Sequence, residues 1–241
     1  MAALAVPGAW PWALGAVALN HAMLTTAGMM PRSPWLGPNL SCLPETSAQC
    51  RQVALTFDDG PDPTLTPQVL ALLERHGARA SFFLIGERAR RHPDLVRALL
   101  AAGHTAENHT DTHPLHFAAL GMAAQRRQIE RAQAAIEAVG GQPRYFRPPA
   151  GLRSPLLYPV LARLGLRHAS WSRRGADGLL SDPARILRRL QGTQAGDVLL
   201  LHDGTWRPRG GRPPLLTVLP RLLAQLREQA LEAVPLPDPE V

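Results

Sequence analysis

The apolar positions of this chain fall into three regimes. Met1 to Pro31 is predominantly apolar and carries no charged side chain. Arg32 to Arg51 shows neither a two-residue nor a 3.6-residue period. From Val53 onward, short apolar runs alternate with stretches whose apolar residues recur every three or four positions. Val53–Phe57, Ala80–Ile85, Thr105–Asn108, Tyr145–Arg147, Arg167–Ser172 and Asp197–Leu201 read as strands, being short and bounded by turn residues. Thr66–Arg75, Pro93–Ala102, Met122–Val139, Ser154–Leu164, Pro183–Gln191 and Leu215–Gln229 read as helices. Pro67 stands in the first turn of one helix and Gly77 stops it; Pro93 and Gly103 bracket the next, and Gly140 and Gly141 end the longest. Strands alternating with helices predict a parallel sheet with helices outside it, an α/β fold.

The first regime, residues 1–31, approaches bilayer length, and Trp10 and Trp12 suit an interface. It is therefore expected to be a membrane anchor or a signal. It lacks the Lys/Arg-rich start of an ordinary signal peptide, and Asn20 and His21 interrupt it. A helix packed on the domain is the alternative. Pro34, Gly37, Pro38 and Pro44 punctuate residues 32–51, which read as a linker. The folded domain is expected over 52–233, and 234–241 as a Pro-rich, frayed tail.

Composition adds little to this picture and excludes something. A chain of 241 residues can bury a full core without a disulfide or metal to hold it. The formal net charge of +7 comes from Arg scattered along the expected helices. Such a balance favours acidic partners. Neither an aromatic-and-basic RNA signature nor a zinc-finger pattern is present, so nucleic acid is not an expected partner. Cys42 and Cys50 either close a small disulfide loop in an oxidising compartment or remain free thiols. Nothing in the sequence sets the oligomeric state.

Polar clusters follow the expected strands: Asp58-Asp59, His109 with His113, Arg147, Asp177, and His202-Asp203. In an α/β barrel the loops at the C-terminal strand ends build the active site, so these residues would share one mouth. His109 and His113 are four apart and would share a face on a helical turn. Two imidazoles and one carboxylate give a metal site with open positions for water and substrate. Asp58 and Asp59 are the best carboxylate candidates. Neighbours on an extended strand point to opposite sides, so one could ligate while the other faces substrate.

These residues resemble a known family. Thr56-Phe-Asp-Asp-Gly-Pro61, His109-Thr-Asp-Thr-His113, Arg147-Pro-Pro-Ala-Gly151, the region Trp171 to Asp177, and Leu200-Leu-His202-Asp203 are similar, in order, to the five motifs of polysaccharide deacetylases. This is the NodB-homology group, carbohydrate esterase family 4. The likeness spans Val53 to Leu231 and implies a distorted (β/α) barrel, here preceded by an apolar segment. It implies Asp58 as general base, Asp59, His109 and His113 as metal ligands, and His202 as general acid. Arg147 resembles the residue that orients the base, and Asp177 the acid that holds that Arg. Leu200 resembles an apolar wall of the acetyl pocket, and the Ala150 N–H falls where the family places an oxyanion donor. Three positions depart from the pattern: Ala150 where a bulky residue is frequent, Gly178 where Trp is frequent, and Arg174 where an acid is common.

The resemblance implies a hydrolase of the N-acetyl groups of a glycan such as peptidoglycan, a chitin-like oligosaccharide or a surface polysaccharide. It also implies a cell-envelope location, membrane-anchored, periplasmic or secreted. Zinc is the first expectation from the N/O ligand set, with cobalt, nickel or iron as alternatives. A deacetylase or deformylase of a lipid-linked amino sugar, and a non-catalytic glycan-binding protein, are the competing readings.

Overall fold

The computed structural model describes residues 8–204 and 212–239. Its centre is one parallel sheet of β1 (Gln52–Asp58), β2 (Ser81–Leu84), β3 (Thr105–Asn108), β4 (Tyr145–Phe146), β5 (Arg167–His168), β6 (Arg173–Arg174), β7 (Val198–His202) and β8 (Glu232–Val234). The order is β5-β4-β3-β2-β1-β7-β6, with β8 paired to the first half of β1. The two outer strands of this path are joined by Ala169–Ser172 alone. Ala169 N–H donates to the Phe146 carbonyl at one edge, and Ser172 N–H donates to the Val198 carbonyl at the other, each at 3.0 Å. The connection therefore draws the two edges together and curls the sheet into a distorted barrel.

Side-chain alternation along the strands divides the core in two. Val53, Leu55 and Phe57 of β1, Phe82 and Leu84 of β2, and Leu199 and Leu201 of β7 face an outer core. That core is completed by α3 (Thr66–Arg75), α5 (Pro93–Ala101), α8 (Pro183–Leu190) and α9 (Leu215–Glu228). Ala54, Phe83, Tyr145, Val198 and Leu200 have the opposite parity and gather with Trp171 inside the barrel. The same parity carries Asp58 and His202, one or two steps further along, into the interior at the C-terminal mouth. A third cluster joins α6 (Met122–Glu137) and α7 (Leu157–Arg163) to Phe146.

Several elements differ from the sequence expectation. The strand expected over 167–172 is two short strands, because the chain changes partner at the closure. Two further elements escaped it. α4 (Gly86–Arg91) starts without a side-chain cap, and three-residue β8 immediately precedes the Pro-rich tail. That tail is bound rather than frayed as far as 239 is described: Leu236 is buried and its N–H donates to Ser81.

Residues 32–51 do not behave as a free linker. Leu40 pairs with Ala169, Cys42 pairs with Asp197, and α2 (Glu45–Gln49) follows. Arg153 donates to the carbonyl of Ser33, and Ser170 to that of Pro31. Punctuation by Pro correctly indicates an irregular path; it carries no information about what that path packs on. Cys42 and Cys50 are free and exposed.

The apolar segment forms α1 (Trp10–Met29), whose buried residues are Ala27 and Gly28. Among the described residues, no helix is long and apolar enough to cross a membrane. Asn20, His21, Thr25 and Thr26 dilute the apolar run, and residues 1–7 of the expected anchor lie outside the described residues.

Candidate active site

Asp59, His109 and His113 converge at the mouth of the barrel. Asp59 Oδ1 stands 3.4 Å from His109 Nε2 and 3.2 Å from His113 Nε2. Among the described residues, these three offer ligand atoms all within 4.8 Å of one another. The convergence has a different origin from the one the spacing predicts. His109 and His113 lie on a loop, not a helical turn, and Thr110 (φ 68°) and His113 (φ 53°) are left-handed. Nor do Asp58 and Asp59 point to opposite sides. Asp59 has left the strand with φ 75°, which turns its carboxylate back toward the imidazoles. Non-glycine residues rarely adopt this region, and such strain concentrates at functional sites.

The donor set fits a divalent cation. Asp59 Oδ1 is buried and has no hydrogen-bond partner, a costly arrangement unless something charged faces it. His109 Nδ1 lies 2.7 Å from the Arg147 carbonyl. A carbonyl only accepts, so Nδ1 carries a proton. Burial opposes a charge on this ring, but Asp58 and Asp59 raise its pKa, so a cation bound at Nε2 would have to displace a proton there. Burial, then the charge of His109, lowers the His113 pKa to about 4, leaving that ring neutral. Burial alone would raise the Asp59 carboxyl, but contact with His109 and its charge, then the charge of His202, hold it well below the usual carboxylate range.

Asp58 is buried beside this group. Its Oδ1 accepts from Arg147 Nη1 at 2.6 Å, and its Oδ2 lies 3.9 Å from His109 Nε2. Arg147 is wholly buried, and each nitrogen of its guanidinium has an acceptor. It also donates to Thr56 Oγ1 at 3.0 Å, to the Ala169 carbonyl at 3.1 Å and to the Ser170 carbonyl at 2.8 Å. Phe83 lies under the guanidinium at 3.9 Å. Such a buried charge is tolerated because every face has a partner.

Asp177 does not hold Arg147, as the resemblance implied. Its Oδ1 takes His202 Nδ1 at 2.9 Å, and its Oδ2 accepts the His202 N–H at 2.9 Å. Arg147 finds its acceptors on the closing segment instead, which leaves Asp177 for the imidazole. Burial opposes a charged His202 ring, but the charge and hydrogen bond of Asp177, with Asp58 and Asp59, raise its pKa to about 9. Gly178 lies against this ring: a Cβ there would come within 3.5 Å of it.

Ala150 is left-handed (φ 56°) and exposed. Leu200 is buried in the interior cluster with Trp171. Trp171 is thus a core residue, as its aromatic bulk suggests.

Sequence reasoning missed the residues that shape the loops. Gln128 of α6 accepts the N–H groups of Asp111 and Thr112 at 3.1 and 3.0 Å, fixing the loop between the two His. Arg88 Nη1 donates to the Asp59 carbonyl at 2.6 Å. Asp203 is buried, accepts from Thr66 at 2.6 Å, and presses on Gly60, where any Cβ would come within 2.5 Å of it. Only the Asp203 signal was legible, since it adjoins His202.

The chain is similar to known proteins over most of its length. A polysaccharide deacetylase family model matches residues 45–169. A chitooligosaccharide deacetylase of Azorhizobium caulinodans is 34% identical over 195 residues, covering 77% of this chain and 92% of the relative. A peptidoglycan-N-acetylglucosamine deacetylase of Bacillus cereus is 33% identical, covering 76% of this chain and 84% of the relative. The solved family 4 carbohydrate esterase from Streptomyces lividans, in complex with acetate, superposes with a TM-score of 0.69 at 35% identity, covering 76% of this chain and 91% of that one.

Proposed function

This chain belongs to the polysaccharide deacetylase family, and from that membership we propose how its own residues divide the work. It is a metal-dependent hydrolase that removes N-acetyl groups from the amino sugars of a glycan. In our reading, Asp59, His109 and His113 hold the metal, with zinc the first candidate for an N/O ligand set. When bound, such a cation supplies a Lewis acid that polarises the amide oxygen and makes water more acidic.

Asp58 then takes the proton of the attacking water, held in place by Arg147. The Ala150 N–H is available to the oxyanion. His202, kept charged by Asp177, gives a proton to the departing amine, without which the tetrahedral species returns to amide. Leu200 contributes an apolar wall beside the acetyl methyl. The observation that carries this reading is the buried Asp59 oxygen, lacking a hydrogen bond and facing two imidazole nitrogens. Metal analysis with acetate release from N-acetylglucosamine oligomers tests it. Full-length protein that binds no divalent metal, or that binds one and releases no acetate from any N-acetylated glycan, would overturn it.

The relative named a peptidoglycan-N-acetylglucosamine deacetylase favours an envelope glycan, and with it a place of work outside the cytoplasm. The exposed Trp10, Trp12, Leu14 and Val17 give α1 an uncharged apolar surface suited to contact with a membrane. Extraction by detergent but not by salt would support attachment through this uncharged helix, and release by salt alone would count against it.

A further inference from the structure

Beside the mouth lies a groove of about 450 Å³ lined by Arg174, Arg185, Arg188 and Arg189 together with Leu179 and Leu180. Among the described residues, none of the four arginines forms an ion pair. Elsewhere on the surface, Arg91, Arg97 and Arg126 each face a carboxylate on their own helix. The acid that precedes α8, Asp182, caps the helix by accepting the Ala184 N–H at 2.9 Å and forms no ion pair with these arginines. Arg189 donates to the Arg174 carbonyl, which fastens α8 to the outer strand β6.

The groove shares a wall with the reaction centre. The turn from Ala176 to Leu180 carries Asp177, which holds His202, on one side and contributes Leu179 and Leu180 to the groove on the other. The turn therefore joins the groove directly to the residue that holds His202. Guanidinium groups match carboxylate and phosphate oxygens with paired hydrogen bonds. The leucines suit the C–H face of a sugar ring.

We propose that this groove binds an anionic group of the glycan, a carboxylate or a phosphate, so that the enzyme selects acidic over neutral chains. The inference rests on the deacetylase reading for the identity of the chain, and its test does not depend on turnover. Calorimetry on the full-length, metal-loaded protein would compare N-acetylglucosamine oligomers of equal length that are neutral, carry uronate or lactyl carboxylates, or carry phosphate. At least one acidic oligomer should bind about tenfold tighter than the neutral one, with the margin shrinking as salt screens it. The carboxylate and phosphate arms identify which anion is recognised. The double substitution R185S/R188S, on exposed positions that make no hydrogen bond holding α8 among the described residues, should abolish the margin and leave neutral-oligomer binding and kcat unchanged.

Equal binding of all oligomers, or a margin that survives the double substitution, overturns the proposal. So does a single-stranded oligonucleotide of matched charge that binds as tightly as the acidic glycan. Acidic preference without acetate release would instead remove the deacetylase reading and leave the groove standing.

Discussion

Two imidazoles at the mouth, His109 and His202, are built alike and placed in different electrostatic company. His109 gives its Nδ1 proton to a carbonyl, that of Arg147, whereas His202 gives its own to a carboxylate, that of Asp177. A carbonyl orients a ring and adds no charge, so the raised pKa of His109 comes, against burial, from Asp58 and Asp59 in front of it, where a cation would compete with the proton for Nε2. A carboxylate stabilises the imidazolium, so the other nitrogen stays a proton donor. The partner behind each ring, rather than the ring itself, separates a ligand from an acid.

Four measurements would break or sharpen this contrast. On the ligand side, Asp59→Ala or His113→Ala should lose metal and turnover together, down to background. Undiminished metal by elemental analysis would dissolve that side of the comparison. Between the two sides, Asp58→Asn should keep its metal and lose about 10²–10⁴-fold in kcat, the usual range for an acid–base group. A near-normal rate would place the base elsewhere.

On the acid side, Asp177→Asn should move the alkaline limb of the pH–rate profile downward. With Asp177 present, the folded pKa of His202 is raised from 6.5 to about 9, so the proton is held below that value and lost as pH rises through it. The stabilising effect of the pair follows the same sign: complete below about pH 6.5 and gone above about 9. A metal bound at Asp59 would pull the limb lower in both proteins without removing the difference between them. An unchanged limb would show that another group donates the proton. Smallest, Gln128→Ala should weaken metal binding by about 10–100-fold through a loosened His loop, the range for groups that orient ligands. Chelator competition measures it, and unchanged affinity would leave the strained loop self-sufficient.

The sequence made some of this legible and hid the rest for identifiable reasons. Thr66–Arg75 and Thr105–Asn108 are found where periodicity and turn residues put them, because local signals determine both ends. The five polar clusters likewise reveal a shared mouth, since strand parity and parallel topology bring them there. Parity fails at Asp59, where a left-handed residue reverses the carboxylate, and a Gly-Pro turn after it gives no hint of that. The i, i+4 spacing of His109 and His113 suggested a helix although a loop does the work. Gln128 and Arg88 act through backbone groups far along the chain, a kind of contact no local pattern encodes. Asp177 was found, but its partner was not, because the closure of the barrel decides which carbonyls reach Arg147.

That closure has a consequence for inactivation. Ala169 and Ser170 form the clasp of a hoop, and their carbonyls also cradle the guanidinium that steadies Asp58. Heat that springs the clasp would release the Asp58 side chain before the helices outside have melted. Loss of activity on warming should therefore run ahead of the loss of far-UV circular dichroism.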